Sequence, residues 1–463
     1  MTVGLLEKES TGGDTARKGF GYQDAYVLQY LPRWLGQSAF SHVVSEAVGD
    51  VEVCYFTPDV RIRRLMLEAK DCTLTAPAFW DEVQRFKAVH SVAPREFVRF
   101  GLVCRGYNTK TSPFIAKLAR LRGVGASFPL NSVILEKDQQ DVLKWAKGQG
   151  HPEDLAEFAL QHVDFVTYAA DSADSAFSGE LQKHLASVDF NGRQGTRLRD
   201  HFKMHIARSS GGPVHRRDLE ADICSVLGDA RSEWLSTPTR VHLGEVLSFA
   251  DLSLDVQSFN GAQRGAKSLA DWAALSEAAA AVANFIESCT ARRGVLVDGK
   301  QRMSTACLLG HAFNAPRGFT LRVEHNGIVF RTDLHEKAPG PFFVASRRGG
   351  STGTQGTVCI GFPTAIGSDA TSAEGGALAG LPSLALESAR AVATTEEMNL
   401  AVNEAKSELV RFRADTRLDI LHLFIKAPSA FSMLLGHRLN GICKVQLYDW
   451  VDGAYRATAL LEG

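Results

Sequence analysis

The chain has 463 residues, of which 45% are apolar and 22% charged, and its formal net charge is −1. That length makes roughly two to four units, each able to bury its own core, and that composition places it among ordinary globular proteins. The charge balance excludes a global electrostatic pull toward nucleic acid or membrane; residues 1–215 hold 26 Lys and Arg against 25 Asp and Glu, so any DNA contact there needs a local patch.

Residues 19–35 read as an amphipathic helix rich in aromatics, with Pro32 near its end. Two strand-like runs follow, His42–Phe56 and Arg63–Asp71, then a helix over Phe79–His90 and a strand over Glu96–Cys104. The stretch 130–205 is rich in helix formers. At 208–214 the sequence RSSGGPV cannot continue a helix, and the main boundary is expected there. The expected division is 1–212 for the first domain, 213–240 for a helical connector and 241–463 for the second domain. Long helices are expected over 269–292 and 383–413. A Gly/Ser-rich stretch at 346–357 separates two halves of the second domain, about 241–345 and 355–463.

The eight cysteines form no CxxC pair, so neither a zinc site of the usual spacing nor a disulfide framework is indicated. The N-terminal residues lack the pattern of a signal peptide, and no run approaches the ~18 apolar residues of a membrane span. A cytoplasmic protein with no membrane partner is expected.

An internal repeat appears in the second domain. Lys300 aligns with Lys426, the LLGH of 308–311 with the LLGH of 434–437, Asn314 with Asn440 and Gly327 with Gly453, each pair offset by 126 residues without a gap. Each copy reads strand, helix, strand, the pattern of a parallel sheet with crossover helices. An α/β protein ending in two Rossmann-like halves is therefore expected. In such sheets ligands gather at the carboxyl ends of strands, where helix N-termini favour anions. Lys300 and Lys426 occupy those junctions, and two junctions together would suit a ring bearing several phosphates. The alternative is a pair of exposed strand-end lysines.

The residues DGKQRMSTACLLG, HLFIKAPSAFSMLLGHRLN and VQLYDW, within 225–463, resemble a SAVED domain, the cyclic-oligonucleotide sensor of bacterial antiphage (CBASS) signalling. The resemblance implies two fused CARF-like units, a cyclic di- or trinucleotide bound between them, and ligand-driven self-association. It carries Gly299, Lys300 and Arg302 into the ligand site from the first junction, and Lys426, Pro428 and Ser429 from the second. Thr364 and Ala365, after the strand VCIGFP, join them.

In the first domain, Glu68 and Lys70 stand at i and i+2 of RRLMLEAKD and project from one face of a strand. Asp50, on the preceding strand, can reach Glu68 across the ladder. These carboxylates, with the Ala69 carbonyl, could hold Mg²⁺, which prefers oxygen ligands. The ion would polarise a phosphodiester, and Lys70 would position or activate water or neutralise developing charge. An E-x-K also occurs at Glu404 and Lys406, but in an expected helix, where the two side chains diverge. The alternative for Glu68 and Lys70 is an ordinary ion pair on a solvated strand. This region resembles the PD-(D/E)xK restriction-nuclease superfamily, and more closely the nuclease domain often fused to SAVED sensors, whose N-terminal helix carries a GFxYQ-like motif, here Gly19-Phe20-Gly21-Tyr22-Gln23. The resemblance implies a restriction-endonuclease-like fold and cleavage of double-stranded DNA. Asp50, Glu68, Lys70 and Gln23 are the catalytic candidates, with Asp50 and Glu68 as metal ligands. Pro-Asp falls only at 58–59, in an expected turn, so Asp50 takes the first acidic role; Glu46 and Glu52 are rivals for supporting ones. A ligand-binding regulator with an inactive nuclease fold, or a nuclease acting on RNA or on the cyclic messenger, are the competing readings.

Overall fold

The computed structural model describes residues 21–125, 133–170, 173–209, 212–244, 248–260, 265–299, 301–334, 340–350, 353–366, 369–370, 373 and 376–463. Gly19, Phe20 and Lys300 lie outside the described residues. The chain divides into two compact units, Met1–Arg231 and Ser232–Gly463.

The first unit opens with helix α1 (residues 21–36) and the antiparallel strands β1 (Phe40–Ser45), β2 (Val51–Thr57) and β3 (Arg61–Leu74). The expected run His42–Phe56 is a hairpin, turned at residues 46–50, where Glu46 takes a positive φ of 60° and its N–H closes on the Asp50 carbonyl at 2.9 Å. Helix α2 (Ala76–Val92) then crosses to β4 (Phe97–Tyr107), which runs parallel to β3. Helices α3 (Ser112–Gly125), α4 (Val133–Gly148) and α5 (Glu153–His162) lead to β5 (Val163–Thr167), a strand hidden in a stretch rich in helix formers. Helices α6 (Ala173–His184) and α7 (Gly192–Arg208), strand β6 (Pro213–His215) and helix α8 (Arg216–Leu227) complete the unit. The sheet order is β5-β4-β3-β2-β1-β6. One core joins Phe79, Trp80 and Phe86 of α2 to Phe100 and Leu102 of β4, Trp145 of α4 and Phe158 of α5.

The segment 213–240 is not a free connector. β6 pairs with β1 through His42–His215, Val43–Val214 and Val44–Pro213. Arg216 is 2% exposed and donates to the carbonyls of Leu35 at 3.0 Å, Gln37 at 2.9 Å and Phe40 at 3.2 Å, while its Nε meets Glu220 at 2.8 Å. A buried guanidinium needs such partners, and only the first unit supplies them. The first compact unit accordingly runs to Arg231.

The second unit holds α9 (Arg231–Ser236), which begins at the division, then β7 (Thr239–Leu243), β8 (Ser253–Leu254), α10 (Gln257–Asn260), α11 (Leu269–Cys289), β9 (Gly294–Asp298), α12 (Met303–Ala312), β10 (Thr320–His325) and β11 (Ile328–Arg331). These strands form a sheet of order β11-β10-β9-β7-β8, parallel except for the β10–β11 hairpin. Next come β12 (Val344–Arg348), β13 (Gln355–Gly361), β14 (Ser383–Glu387), α13 (Thr395–Thr416), β15 (Ile420–Lys426), α14 (Ser429–Gly436), β16 (Lys444–Val451) and β17 (Ala454–Leu461), in a sheet of order β12-β14-β13-β15-β16-β17. Its inner pairs are parallel and its edges antiparallel. Two expectations change here. Residues 383–387 are a strand between β12 and β13, so the long helix starts only at Thr395. Part of the Gly/Ser-rich stretch is edge strand β12, which belongs to the second half.

The repeat is present in the backbone. β9-α12-β10-β11 and β15-α14-β16-β17 correspond at the offset of 126, and both end in a hairpin turned by two residues of positive φ, Asn326-Gly327 at 53° and 77° and Asp452-Gly453 at 52° and 78°. Helices α12 and α14 pack against one another through equivalent glycines. A Cβ on Gly310 would lie 1.9 Å from the Met433 carbonyl oxygen, and one on Gly436 would lie 2.1 Å from that of Cys307. Cys307 and Met433 are themselves equivalent, so the two helices meet about a local twofold.

Candidate functional site

In the first unit, the register pairing Val51 with Leu67 sets Asp50 opposite Glu68 at the next rung. The Ala69 N–H donates to Asp50 Oδ2 at 2.7 Å. Glu68, 3% exposed, accepts from Lys70 Nζ at 2.8 Å on one oxygen and from Arg85 of α2 on the other. Glu82, one turn earlier on α2, lies 3.1 Å from Lys70 Nζ and 3.5 Å from Arg85 Nε. Gln23 of α1, 5% exposed, donates to the Asp50 carbonyl rather than to a carboxylate, so it holds the hairpin turn. The structure thus brings Asp50, Glu68 and Lys70 together, with Gln23 behind them. Glu82 and Arg85 are the members that sequence reasoning missed. Their only signal was a polar i, i+3 pair beside the core positions Val83 and Phe86. Glu52 does not join the site: it is fully buried against Arg64 at 2.6 Å and the Val48 N–H at 2.7 Å. Asp59 pairs with Arg63 at 2.8 Å.

Burial raises the Asp50 carboxyl above its ordinary range; Glu68 adds to this, while the Ala69 hydrogen bond and the charges of Lys70 and Arg85 oppose it. Burial also works against a charge on Lys70, but the pairs with Glu68 and Glu82 outweigh it and leave the ammonium raised. Lys70 therefore stays protonated in this arrangement. Three carboxylates face two cations, a local excess of negative charge that a phosphate could approach only with a further cation present. Among the described residues, no three His, Cys, Asp or Glu side chains are arranged to hold a metal. Asp50 and Glu68 are of the chemistry Mg²⁺ takes, since that ion commonly uses one or two carboxylates and completes its shell with water and substrate phosphate, but here the Glu68 oxygens are engaged by Lys70 and Arg85.

The second unit contains a cavity of about 470 Å³ at the carboxyl ends of β15 and β16 and the start of α12, within the size range of small-ligand sites. Arg302, the residue preceding α12, and Lys426, the last of β15, are in its wall. Lys426 Nζ donates to the Ala365 carbonyl at 3.2 Å, so these two expected residues meet. Gly299 supports the junction from behind: its φ is 110°, and a Cβ there would lie 2.3 Å from the Leu243 carbonyl oxygen. Pro428 caps the start of α14 and Ser429 begins it. Gly299, Thr364, Pro428 and Ser429 are not in the described wall. Sequence reasoning missed Asp449, Trp450 and Tyr455, which are. Trp450 is 45% exposed and meets Tyr455 edge to face, with ring centroids 5.1 Å apart. An aromatic so placed offers a base a stacking surface.

Two family models match the chain. Residues 11–210 match the Cap4 dsDNA endonuclease domain, and residues 278–461 match the SMODS-associated and fused to various effectors sensor domain, SAVED. CD-NTase-associated protein 4 of Moraxella osloensis is 50% identical over 463 residues, all of both chains, and that of an Acinetobacter species is 49% identical over the same span. Among solved structures, an Acinetobacter baumannii Cap4 SAVED/CARF-domain receptor with the cyclic trinucleotide 2'3'3'-cAAA superposes at a TM-score of 0.88 with 47% identity, covering 96% of this chain and 99% of that one. The Moraxella osloensis Cap4 receptor superposes at 0.86 with 47% identity, covering 96% and 100%. No helix among the described residues is long and apolar enough to cross a membrane. The chain belongs to the CD-NTase-associated protein 4 family, in which a Cap4 dsDNA endonuclease domain is joined to a SAVED sensor domain.

Proposed function

We propose that this protein is a cytoplasmic antiphage effector that degrades double-stranded DNA when a cyclic trinucleotide fills the cavity of its sensor unit. The observation that carries the nuclease reading is the rung on which Asp50 and Glu68 face each other, with Lys70 two residues on. Asp50 and Glu68 would hold Mg²⁺, which when bound supplies Lewis-acid polarisation of the scissile phosphodiester. Lys70, kept protonated by its carboxylate partners, places a fixed positive charge where negative charge builds on the phosphate. Gln23 keeps the Asp50 turn in place. Arg85 and Glu82 fix the rotamers of Glu68 and Lys70 from α2, the supporting layer that such sites require.

In the sensor unit, Lys426 would meet ring phosphates, Arg302 would line the same cavity from the start of α12, and Trp450 would stack on a base. Two structures of Acinetobacter baumannii Cap4 hold the cyclic trinucleotides 2'3'3'-cAAA and 3'3'3'-cAAA, which supports a ligand of that class here. A ligand switches a protein only by binding one state more tightly than another. Self-association of ligand-bound protomers supplies such a state and would raise the affinity of a near-neutral nuclease unit for DNA through multivalent contact.

The test is plasmid degradation in Mg²⁺ across a panel of cyclic di- and trinucleotides, with light scattering on the same samples. Cleavage that needs both a cyclic trinucleotide and Mg²⁺, and that is lost in Glu68→Gln and Lys70→Ala, is expected. Equal cleavage by these variants would favour a site elsewhere, and an uncleaved plasmid with a bound ligand would favour a receptor whose nuclease fold is inactive.

A further inference from the structure

The two halves repeat in backbone, but their helix starts differ in charge. At the start of α12, the Ser304 N–H donates to Asp449 Oδ1 at 3.1 Å. Asp449 comes from β16, in the other half; it is 5% exposed and forms part of the cavity wall. Thr458 Oγ1 donates to Ser304 Oγ at 2.7 Å, and both residues are buried, so the carboxylate has a fixed seat. The equivalent of Asp449 at the offset of 126 is Val323, a fully buried apolar residue, which has no carboxylate to offer the start of α14, and the residue before α14 is Pro428. One helix start therefore already holds an anion. The other adjoins Lys426, the last residue of β15, and has apolar Val323 where the first has its carboxylate.

A ring phosphate near Asp449 would meet a like charge in a partly desolvated cavity, an unfavourable pairing. A carboxylate accepts only; it welcomes N–H and O–H donors. A cyclic nucleotide offers two kinds, the exocyclic amine of a base and a ribose 2'-hydroxyl. We propose that Asp449 is a specificity-determining residue of the sensor cavity, which turns the phosphates toward Lys426 and accepts a hydrogen bond from a donor group of the ligand. This rests on the reading of the cavity as the cyclic-oligonucleotide site. It differs from the expectation of two equivalent anion sites: the cavity has one end for phosphate and one for a donor.

A buried site built to take a donor rejects the analogue that lacks it. For one charge-assisted bond the preference is about tenfold to a hundredfold. The experiment is calorimetric binding to the full-length protein of three rings: cyclic triadenylate, the same ring with hypoxanthine for adenine, and the same ring with 2'-deoxyribose. Wild-type protein is expected to prefer cyclic triadenylate by at least about tenfold over one of the two analogues, and which one identifies the base amine or the hydroxyl as the donor. Asp449→Asn, which keeps an acceptor for Ser304 but removes the charge, is expected to erase that preference. Equal binding of all three rings by wild-type protein overturns the proposal, and this measurement needs no variant to fold. Weakening of all three rings by one common factor in Asp449→Asn also overturns it, because that marks a structural role only. If wild-type protein binds no ring at all, the reading of the cavity itself fails, and the inference fails with it.

Discussion

Replacing Gly310 by Ala tests the join between the two sensor halves. The new Cβ would lie 1.9 Å from the Met433 carbonyl oxygen and 2.8 Å from the His437 nitrogen, where real Cβ contacts essentially never fall under 3.0 Å. Both obstacles are backbone, so no rotamer change relieves them, and α12 and α14 must separate by about 1 Å or more. Every residue from Ser304 to Gly310 and from Ala430 to Gly436 is buried. Separation therefore forfeits dispersion contacts along both helices, beyond the local clash. The cost is about 3 kcal/mol, the upper end of overpacking effects, which for a unit of this size lowers the midpoint by roughly 6–12 °C. The assay is thermal unfolding of the full-length protein, reading the transition that moves upward when cyclic triadenylate is added. Gly436→Ala meets the mirror obstacle at 2.1 Å from the Cys307 carbonyl oxygen. Once the helices have parted, the second methyl needs little more room, so the double variant should lose clearly less than the two single losses added together. An unchanged midpoint for Gly310→Ala, or strict additivity in the double variant, would refute the shared-contact argument.

Three further outcomes are expected. Arg216→Met should cost about 3–5 kcal/mol, because it leaves Glu220 and four backbone acceptors without their buried cation; in the same vein, a chain cut at 231 should resist limited proteolysis while one cut at 212 should not. His437, 2% exposed, has its imidazole pushed down to about 4, chiefly by burial, against a hydrogen bond to the Phe313 carbonyl. A histidine lowered on folding takes up its proton in the unfolded chain first, so the sensor transition should lose up to about 3 kcal/mol as pH falls from about 6.5 toward 4; a pH series on His437→Gln should show a shallower fall, and an unchanged slope would assign the effect elsewhere. Chelation of divalent ions should stop DNA cleavage while leaving calorimetric binding of cyclic triadenylate within about twofold, since the two ligands draw on different residues; loss of both together would count against separate sites.

How much was legible follows from where the determinants sit in the chain. The E-x-K at Glu68 and Lys70 could be read because a strand sends i and i+2 to one face, and the register then brought Asp50 opposite. Arg85 could not be read, because its approach to Glu68 depends on how α2 packs over β3, which no local period encodes. The strand Ser383–Glu387 reads as helix from its Ser, Leu, Ala and Glu, yet β12 and β13 flank it on both sides, and pairing overrides so short a propensity. β6 is three residues long, too short to show any alternation, so its pairing with β1, which carries the first compact unit on to Arg231, could not be read.

The repeat and its asymmetry are legible to different degrees for one physical reason. Gly310, Gly436, Gly327 and Gly453 occupy positions where backbone approach or positive φ admits little else. The turns need positive φ at Gly327 and Gly453, and the twofold presses Gly310 and Gly436 each against the other's helix, so both pairs leave marks at a fixed offset in the sequence. Asp449 answers to a different demand. Its carboxylate is stabilised by an N–H that lies 145 residues away, and its equivalent, Val323, simply fills a core. A twofold built from backbone therefore carries side chains free to diverge, and a ring of three nucleotides has no twofold of its own to match. An asymmetric cavity on a symmetric frame lets one end select for charge and the other for hydrogen-bond donors, which two identical ends could not do.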